Sequence, residues 1–303
     1  MNDSMLVVQR RIRWRDYWEL GKPRVVMVML VCALVGALLA RPGLPDVSLL
    51  LLAMVGIGLA SMGAAAFNHL LDQRFDRLMV RTARRPLAQG RLHPWQVFAY
   101  ASALSVLGLW LLAVWVNELT AALTAASLLG YALIYTAFLK HATPQNITIG
   151  GLAGAAPPLL GWTAVSGQLE GDAILLVLII FAWTPSHFWV LAIHKHEEYR
   201  RAGVPMLPVT HGLAFTRLQV WLYAWLTVAA TLMPFVTGMS GWIYLAAVLL
   251  LNARWLWFNG RVFYRPQDTD VPMQAFWFSI RYLLWLFAAL LLDHFVALAL
   301  MGR

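Results

Sequence analysis

The sequence predicts an all-α fold, a polytopic membrane protein of about nine transmembrane helices around a central cavity open near the cytoplasmic side. Three observations carry that expectation. Hydrophobic residues fill 61% of the 303 positions and charged residues only 12%, whereas a water-soluble domain has about a quarter of its residues charged; most of this surface must therefore face lipid. The apolar residues fall in long runs, many near the ~20 residues that cross a ~30 Å hydrocarbon core. The basic residues collect in alternate loops.

In order, the expected spans are 25–40, 47–68, 94–116, 119–139, 146–166, 172–193, 214–237, 241–259 and 276–300. The first is short and begins just after Pro23 and Arg24. The fifth contains Pro157 and Pro158, which remove backbone donors, so it is expected to be kinked or broken there. All nine belong to one integral membrane domain, 1–303, with 1–20 as a cytoplasmic N-terminal segment. That segment is basic but lacks a convincing cleavage site, so the first span is read as retained. Cys32 is the one cysteine; no disulfide framework is possible, and a lone apolar-face thiol is ordinary packing.

Orientation follows from Lys and Arg. With the N-terminus in the cytoplasm and the C-terminus outside, only Arg41 and Arg303 of the 23 basic residues fall outside, and Arg254 and Arg281 fall inside spans. The net charge of +9 thus has a topological origin. It gives no support for nucleic-acid binding, and favours anionic headgroups and phosphorylated substrates on the cytoplasmic face.

Two cytoplasmic loops concentrate the polar chemistry. After the second span, Asn68, Asp72 and Asp76 are spaced four apart; on a helix they advance by ~40° and ~6 Å per step and share one face. The same stripe runs back through Gly56, Ala60 and Ala64, small residues that let membrane helices approach closely. Oxygen donors so placed suit a hard cation, and Mg²⁺ is commonly held by one or two carboxylates plus substrate phosphates. A competing reading has Asp72 and Asp76 merely neutralising Arg74, Arg77 and Arg81.

After the sixth span the chain reads HFWVLAIHKHEEYRRAGVPMLPV, with Lys195, Glu197, Glu198, Tyr199, Arg200 and Arg201 together. Asp76 precedes Pro86, and Glu198 precedes Pro208, by the same interval, which suggests a sparse internal repeat around 47–140 and 172–259. Two acidic clusters facing each other, ringed by basic residues, would describe a metal-bridged diphosphate site above an apolar interior that holds a hydrocarbon tail. His194 and Glu198 are also four apart, an arrangement open to a transition metal.

Five ordered stretches carry a resemblance: KPRV at 22–25, N-x₃-D-x₃-D-x₂-M-x-RT-x₂-RPL at 68–87, GG-x-AGA-x-PPL-x-GW at 150–162, WTP-x-HFW at 183–189 and AGVPMLPV at 202–209. In these the chain resembles the protohaem IX farnesyltransferases, or haem O synthases, a branch of the UbiA-type intramembrane prenyltransferases. Ser186 stands where that family has a second proline, and Glu198 where it has an Asp-Tyr pair. The Tyr-x₃-Lys arrangement of some relatives is absent, Tyr135 and Lys140 being five apart.

The resemblance implies transfer of a farnesyl group from farnesyl diphosphate to a vinyl group of haem B, with addition of water, in a bacterial inner membrane. It implies Asn68, Asp72, Asp76 and Glu198 as the Mg²⁺ set and Arg81 and Arg85 as phosphate contacts. Lys22 and Arg24, at the entrance of the first span, are placed to reach the same pocket, and with Lys140, His187, Lys195 and Tyr199 they are the expected substrate-binding residues, with haem A synthase or terminal-oxidase assembly as further partners. His187 sits within a span, where a histidine needs a partner; it either meets haem or is an ordinary satisfied buried residue. Competing functions are prenylation of an aromatic quinone precursor, transport, and a non-catalytic role in oxidase assembly. A transporter would place its polar site near the midplane rather than at one rim.

Overall fold

The computed structural model describes residues 13–77 and 82–301. Arg81, one of the expected phosphate contacts, lies outside them. The described residues form helices and no strands. A short helix, α1 (Trp14–Leu20), meets α2 (Pro23–Leu39) at 48°. Pro23 opens α2, where its missing N–H costs nothing. The bend is made at Lys22, which has φ 48°, the one left-handed non-glycine among the described residues.

Next comes α3 (Val47–Leu71), started by Asp46, whose Oδ1 accepts the Leu49 N–H at 2.9 Å. It is followed by the single turn α4 (Gln73–Asp76), then α5 (Pro94–Trp115) and α6 (Glu118–Leu129). The chain continues from α6 as a π-helix, Gly130–Leu139, into α7 (Lys140–Ala142). The expected break in the fifth segment falls at Ala156, between α8 (Asn146–Ala155) and α9 (Pro157–Ser166). The remainder comprises α10 (Gly171–His194), α11 (His196–Arg201), α12 (Leu207–Thr210), α13 (Gly212–Val236), α14 (Trp242–Tyr264) and α15 (Val271–Met301).

Six helical segments among the described residues are long and apolar enough to cross a membrane, and the bent pair α1 and α2 raises the number to seven. Two of the nine expected spans fall short for physical reasons. The fifth is divided at Ala156, and α14 carries Asn252, Arg254, Asn259 and Arg261 along its length. Large apolar side chains such as Leu250 and Trp242 are 76% exposed, as lipid-facing residues are.

Helices in lipid associate by close packing rather than by escape from water, so small residues decide where they touch. α2 and α9 meet backbone to backbone: a Cβ on Gly161 would fall 1.7 Å from the Ala33 carbonyl oxygen, and one on Gly36 1.9 Å from that of Pro158. α3 and α5 pack through Gly56, Gly63 and Gly108. The expected small-residue stripe, Gly56, Ala60 and Ala64, is buried and leads directly to the buried Asn68. The second half is built on α10, α13, α14 and α15, around fully buried Trp189, Trp255, Tyr244 and Tyr282.

Candidate active site

At the end of α3 the helix stops but its register does not. The Asp72 N–H donates to the Asn68 carbonyl at 3.0 Å and the Asp76 N–H to that of Asp72 at 2.9 Å, so helical spacing survives the junction. Asn68, Asp72 and Asp76 are consequently buried on one side, at 4%, 2% and 5% exposure.

Each is met by a cation. Lys22 Nζ, delivered by the left-handed turn before α2, donates to Asn68 Oδ1. Lys140 Nζ reaches Asp72 Oδ2 at 2.6 Å, and Arg85 holds both oxygens of Asp76 at 2.6 and 2.8 Å. Asn68 Nδ2 donates to Asp72 Oδ2 at 2.8 Å and to Thr136 Oγ1 at 3.2 Å, which fixes its amide orientation. Thr82 Oγ1 donates to the Asp76 carbonyl at 3.0 Å.

Apart from Thr136, these groups line a cavity of about 250 Å³ with Tyr131, Tyr135, Phe188 and Tyr199. Lys22, Val25 and Tyr131 also line a second, more apolar cavity of about 230 Å³, with Met29, Ala60 and Leu160 on its wall. A polar head site therefore adjoins a greasy channel. Three cations against two carboxylates leave the head site formally positive, which favours a polyanion.

The π-helix makes this geometry possible. In an α-helix Tyr135 and Lys140 would diverge; with i to i+5 bonding, the Lys140 N–H donates to the Tyr135 carbonyl and both side chains line the cavity. Tyr131 and Tyr135 stack at 5.6 Å on the same wall. Tyr131 and Thr136 escape sequence reasoning, Thr82 enters it only as part of the stretch at 68–87, and Tyr135 only through its distance from Lys140; no residue pattern marks a π-helix.

The other expected residues lie elsewhere. Arg24 is exposed and does not line the cavity. Of the second cluster, Tyr199 is buried and lines it, whereas Glu198 does not and is paired with Lys195 at 2.7 Å. The neighbouring Glu197 faces solvent, where its hydrogen bond from Arg200 holds its carboxyl below the usual range. The His187 ring stacks on Trp183 at 4.1 Å and on Phe276 at 4.7 Å, and its Nδ1 shares a 2.5 Å hydrogen bond with Ser279 Oγ. The ring is satisfied by its neighbours.

The model of the UbiA prenyltransferase family matches residues 29–280. The chain belongs to that family. Among similar relatives, "Protoheme IX farnesyltransferase" of Marinobacter nauticus is 57% identical over 285 residues, 94% of each chain. "Protoheme IX farnesyltransferase 1" of Pseudomonas putida is 55% identical over 98% of this chain and all of its own. Among solved structures, a digeranylgeranylglyceryl phosphate synthase superposes with a TM-score of 0.78 at 18% identity, covering 92% of this chain and 98% of its own. A UbiA homolog from Archaeoglobus fulgidus bound to GPP and Mg²⁺ gives 0.63 at 16% identity, covering 91% and 99%. This UbiA-family fold is thus shared well beyond the range of close sequence likeness.

The donor set of this family member fits a hard cation. Asp72 Oδ1 is buried without a hydrogen-bond partner, beside the carboxylate of Asp76 and the amide of Asn68. Among the described residues no three His, Cys, Asp or Glu side chains gather into a metal cage. Two carboxylates without a cage suit Mg²⁺, which keeps waters and takes its other ligands from phosphate.

Proposed function

We propose that the protein transfers the farnesyl group of farnesyl diphosphate to a vinyl group of haem B, with addition of water, giving haem O and diphosphate. The observation that carries this reading is the cluster of Asp72, Asp76, Lys22, Lys140 and Arg85 at the mouth of an apolar channel. The similarity to protoheme IX farnesyltransferases supports the choice of substrates.

Asn68, Asp72 and Asp76 would hold Mg²⁺ against the diphosphate, where the ion neutralises charge on the leaving group. Lys22, Lys140 and Arg85, which meet Asn68, Asp72 and Asp76 in the structure, would supply the positive charge that binds the diphosphate oxygens. The C1–O bond breaks and its electron pair leaves with diphosphate, so the cations stabilise charge that grows during the step. The allylic cation left behind lies at the boundary of the two cavities. Tyr131 belongs to both, and its ring face and that of Tyr135 attract a cation without attacking it. The vinyl π-electrons then form the C–C bond. Water adds to the resulting porphyrin-side cation and loses a proton, leaving the hydroxyl group.

In the membrane we place the N-terminus in the cytoplasm, nine crossings, the C-terminus outside, and the site toward the cytoplasmic side of a bacterial inner membrane. The bias of basic residues supports that orientation. Haem O would then pass to a haem A synthase or to oxidase assembly.

The test is to give purified protein haem B, farnesyl diphosphate and Mg²⁺ and to weigh the products. A haem gaining one farnesyl group and one water is expected. Unchanged haem, with a prenylated aromatic quinone precursor in a parallel reaction, would overturn the haem assignment and keep the chemistry.

A further inference from the structure

α14 and α15 lie antiparallel, and their register is fixed in the middle. Trp255 stacks on Tyr282 at 4.9 Å, Phe258 on Phe278 at 4.8 Å, and Tyr282 Oη donates to Asn252 Oδ1 at 2.6 Å. This register brings Arg254 of α14 level with Arg281 of α15. The Arg254 guanidinium lies 5.6 Å from the Phe258 ring and 5.8 Å from the Phe278 ring, bridging the two helices. Arg281 follows Phe278 by three residues, a spacing that makes neighbours on a helix surface. Both arginines therefore project from one outer face of the helix pair, and both are exposed.

Neither has an ion pair or hydrogen bond among the described residues. Arg261, by contrast, is paired with Asp268 at 3.3 Å. Arg254 lies ten residues before Tyr264 and Arg281 ten after Val271, about 15 Å of helix from each of those ends. Guanidinium groups without a counter-charge that far along a lipid-facing surface are costly, and such residues normally pair or line a functional site. The surroundings indicate the counter-charge. On the side of Tyr264 and Val271 stand exposed Trp257 and Trp277, the residue type that settles at headgroup level. On the other side exposed Leu250, Trp285 and Leu292 continue an apolar surface along which acyl chains can lie.

We propose that Arg254 and Arg281 form a binding site for the headgroup of an anionic phospholipid of the surrounding bilayer. Planar guanidinium forks match phosphodiester oxygens, and two level arginines suit one phosphate between them. Trp257 and Trp277 offer amphipathic rings beside the headgroup, and Leu250, Trp285 and Leu292 an apolar path for the chains. The site is separate from the Asp72 and Asp76 cavity, so it does not depend on which acceptor the enzyme uses.

Full-length protein in neutral detergent is titrated with phosphatidylglycerol or phosphatidylcholine of identical chains, and retained lipid is counted by native mass spectrometry. Wild-type protein is expected to prefer phosphatidylglycerol. In the double variant R254Q/R281Q that preference falls by roughly tenfold or more. R254K/R281K retains most of it, and R41Q, in the loop after α2, leaves it unchanged. If the double variant does not fold, R281Q alone gives the same readout with a smaller loss. An undiminished preference in R254Q/R281Q, equal binding of both lipids by wild type, or loss of a co-purifying polypeptide with lipid binding intact would each overturn the proposal.

Discussion

Lys140 Nζ lies 2.6 Å from Asp72 Oδ2, although the two residues are 68 positions apart. Asp72 is buried, and its side chain also accepts from Asn68 Nδ2 at 2.8 Å. Removing the ammonium leaves a buried carboxylate with only a neutral donor, and a buried charge without its partner is strongly unfavourable. Lys140→Ala is expected to lower kcat by roughly 10²–10³-fold, the usual cost of losing one group that stabilises developing charge. Lys140→Arg keeps the charge but not the compact ammonium that fits beside Asp72, and should recover activity only in part. Steady-state kinetics on protein that remains membrane-inserted checks both, and wild-type turnover in Lys140→Ala would remove it from the site.

Metal removal should separate the two acidic clusters. Chelation is expected to stop turnover and added Mg²⁺ to restore it. Asp72→Asn then raises the Mg²⁺ concentration needed for half-maximal rate, because the unpartnered Oδ1 is the oxygen best placed to ligate. Glu198 is held by Lys195 and does not line the cavity, so Glu198→Gln should shift the Mg²⁺ requirement less than Asp72→Asn. Equal shifts in a Mg²⁺ titration of both variants would place Glu198 on the metal.

Much of this site is legible from residue spacing, for a reason visible in the backbone. Asn68, Asp72 and Asp76 repeat every four residues, and the bonds from Asp72 to Asn68 and from Asp76 to Asp72 carry that repeat past the end of α3. Lys140 is harder to place because its distance from Tyr135 makes sense only on a π-helix, which hydropathy cannot reveal. The break at Ala156 follows from Pro157 and Pro158, whose missing donors leave a mark in any sequence. Lys22 is expected near the pocket from its position, but the left-handed turn that aims it at Asn68 is a tertiary effect. Arg254 and Arg281 stand out in the sequence as charges inside apolar runs; only the pairing of α14 with α15 puts them on one face.

The contact of α2 with α9 leaves no room for a methyl group. Because a Cβ on Gly161 would sit 1.7 Å from the Ala33 carbonyl oxygen, Gly161→Ala must push two backbones apart. Overpacking of this kind costs about 1–3 kcal/mol. Gly171→Ala meets nothing within 4 Å and should be close to neutral. Thermal unfolding in one detergent compares the pair; equal midpoints would show that α2 and α9 separate freely.

Asp293 secures the opposite end of the second half. Its Oδ2 accepts the Gly241 N–H at 2.5 Å and its Oδ1 the Tyr244 N–H at 3.1 Å, so a side chain of α15 caps the start of α14. Orphan donors at a helix start need an acceptor, and here none is supplied by the preceding residues' own side chains. Asp293→Ala is expected to cost about 0.5–2 kcal/mol, the range for a lost cap. Asp293→Asn keeps one acceptor oxygen and should lose less. The cap also anchors α15 against α14 at one end while Trp255 and Tyr282 fix the middle. Hydrogen exchange of the amides from Gly241 to Tyr244 should therefore speed up in Asp293→Ala while Trp255 stays protected; unchanged exchange at Gly241 would show that the cap contributes nothing.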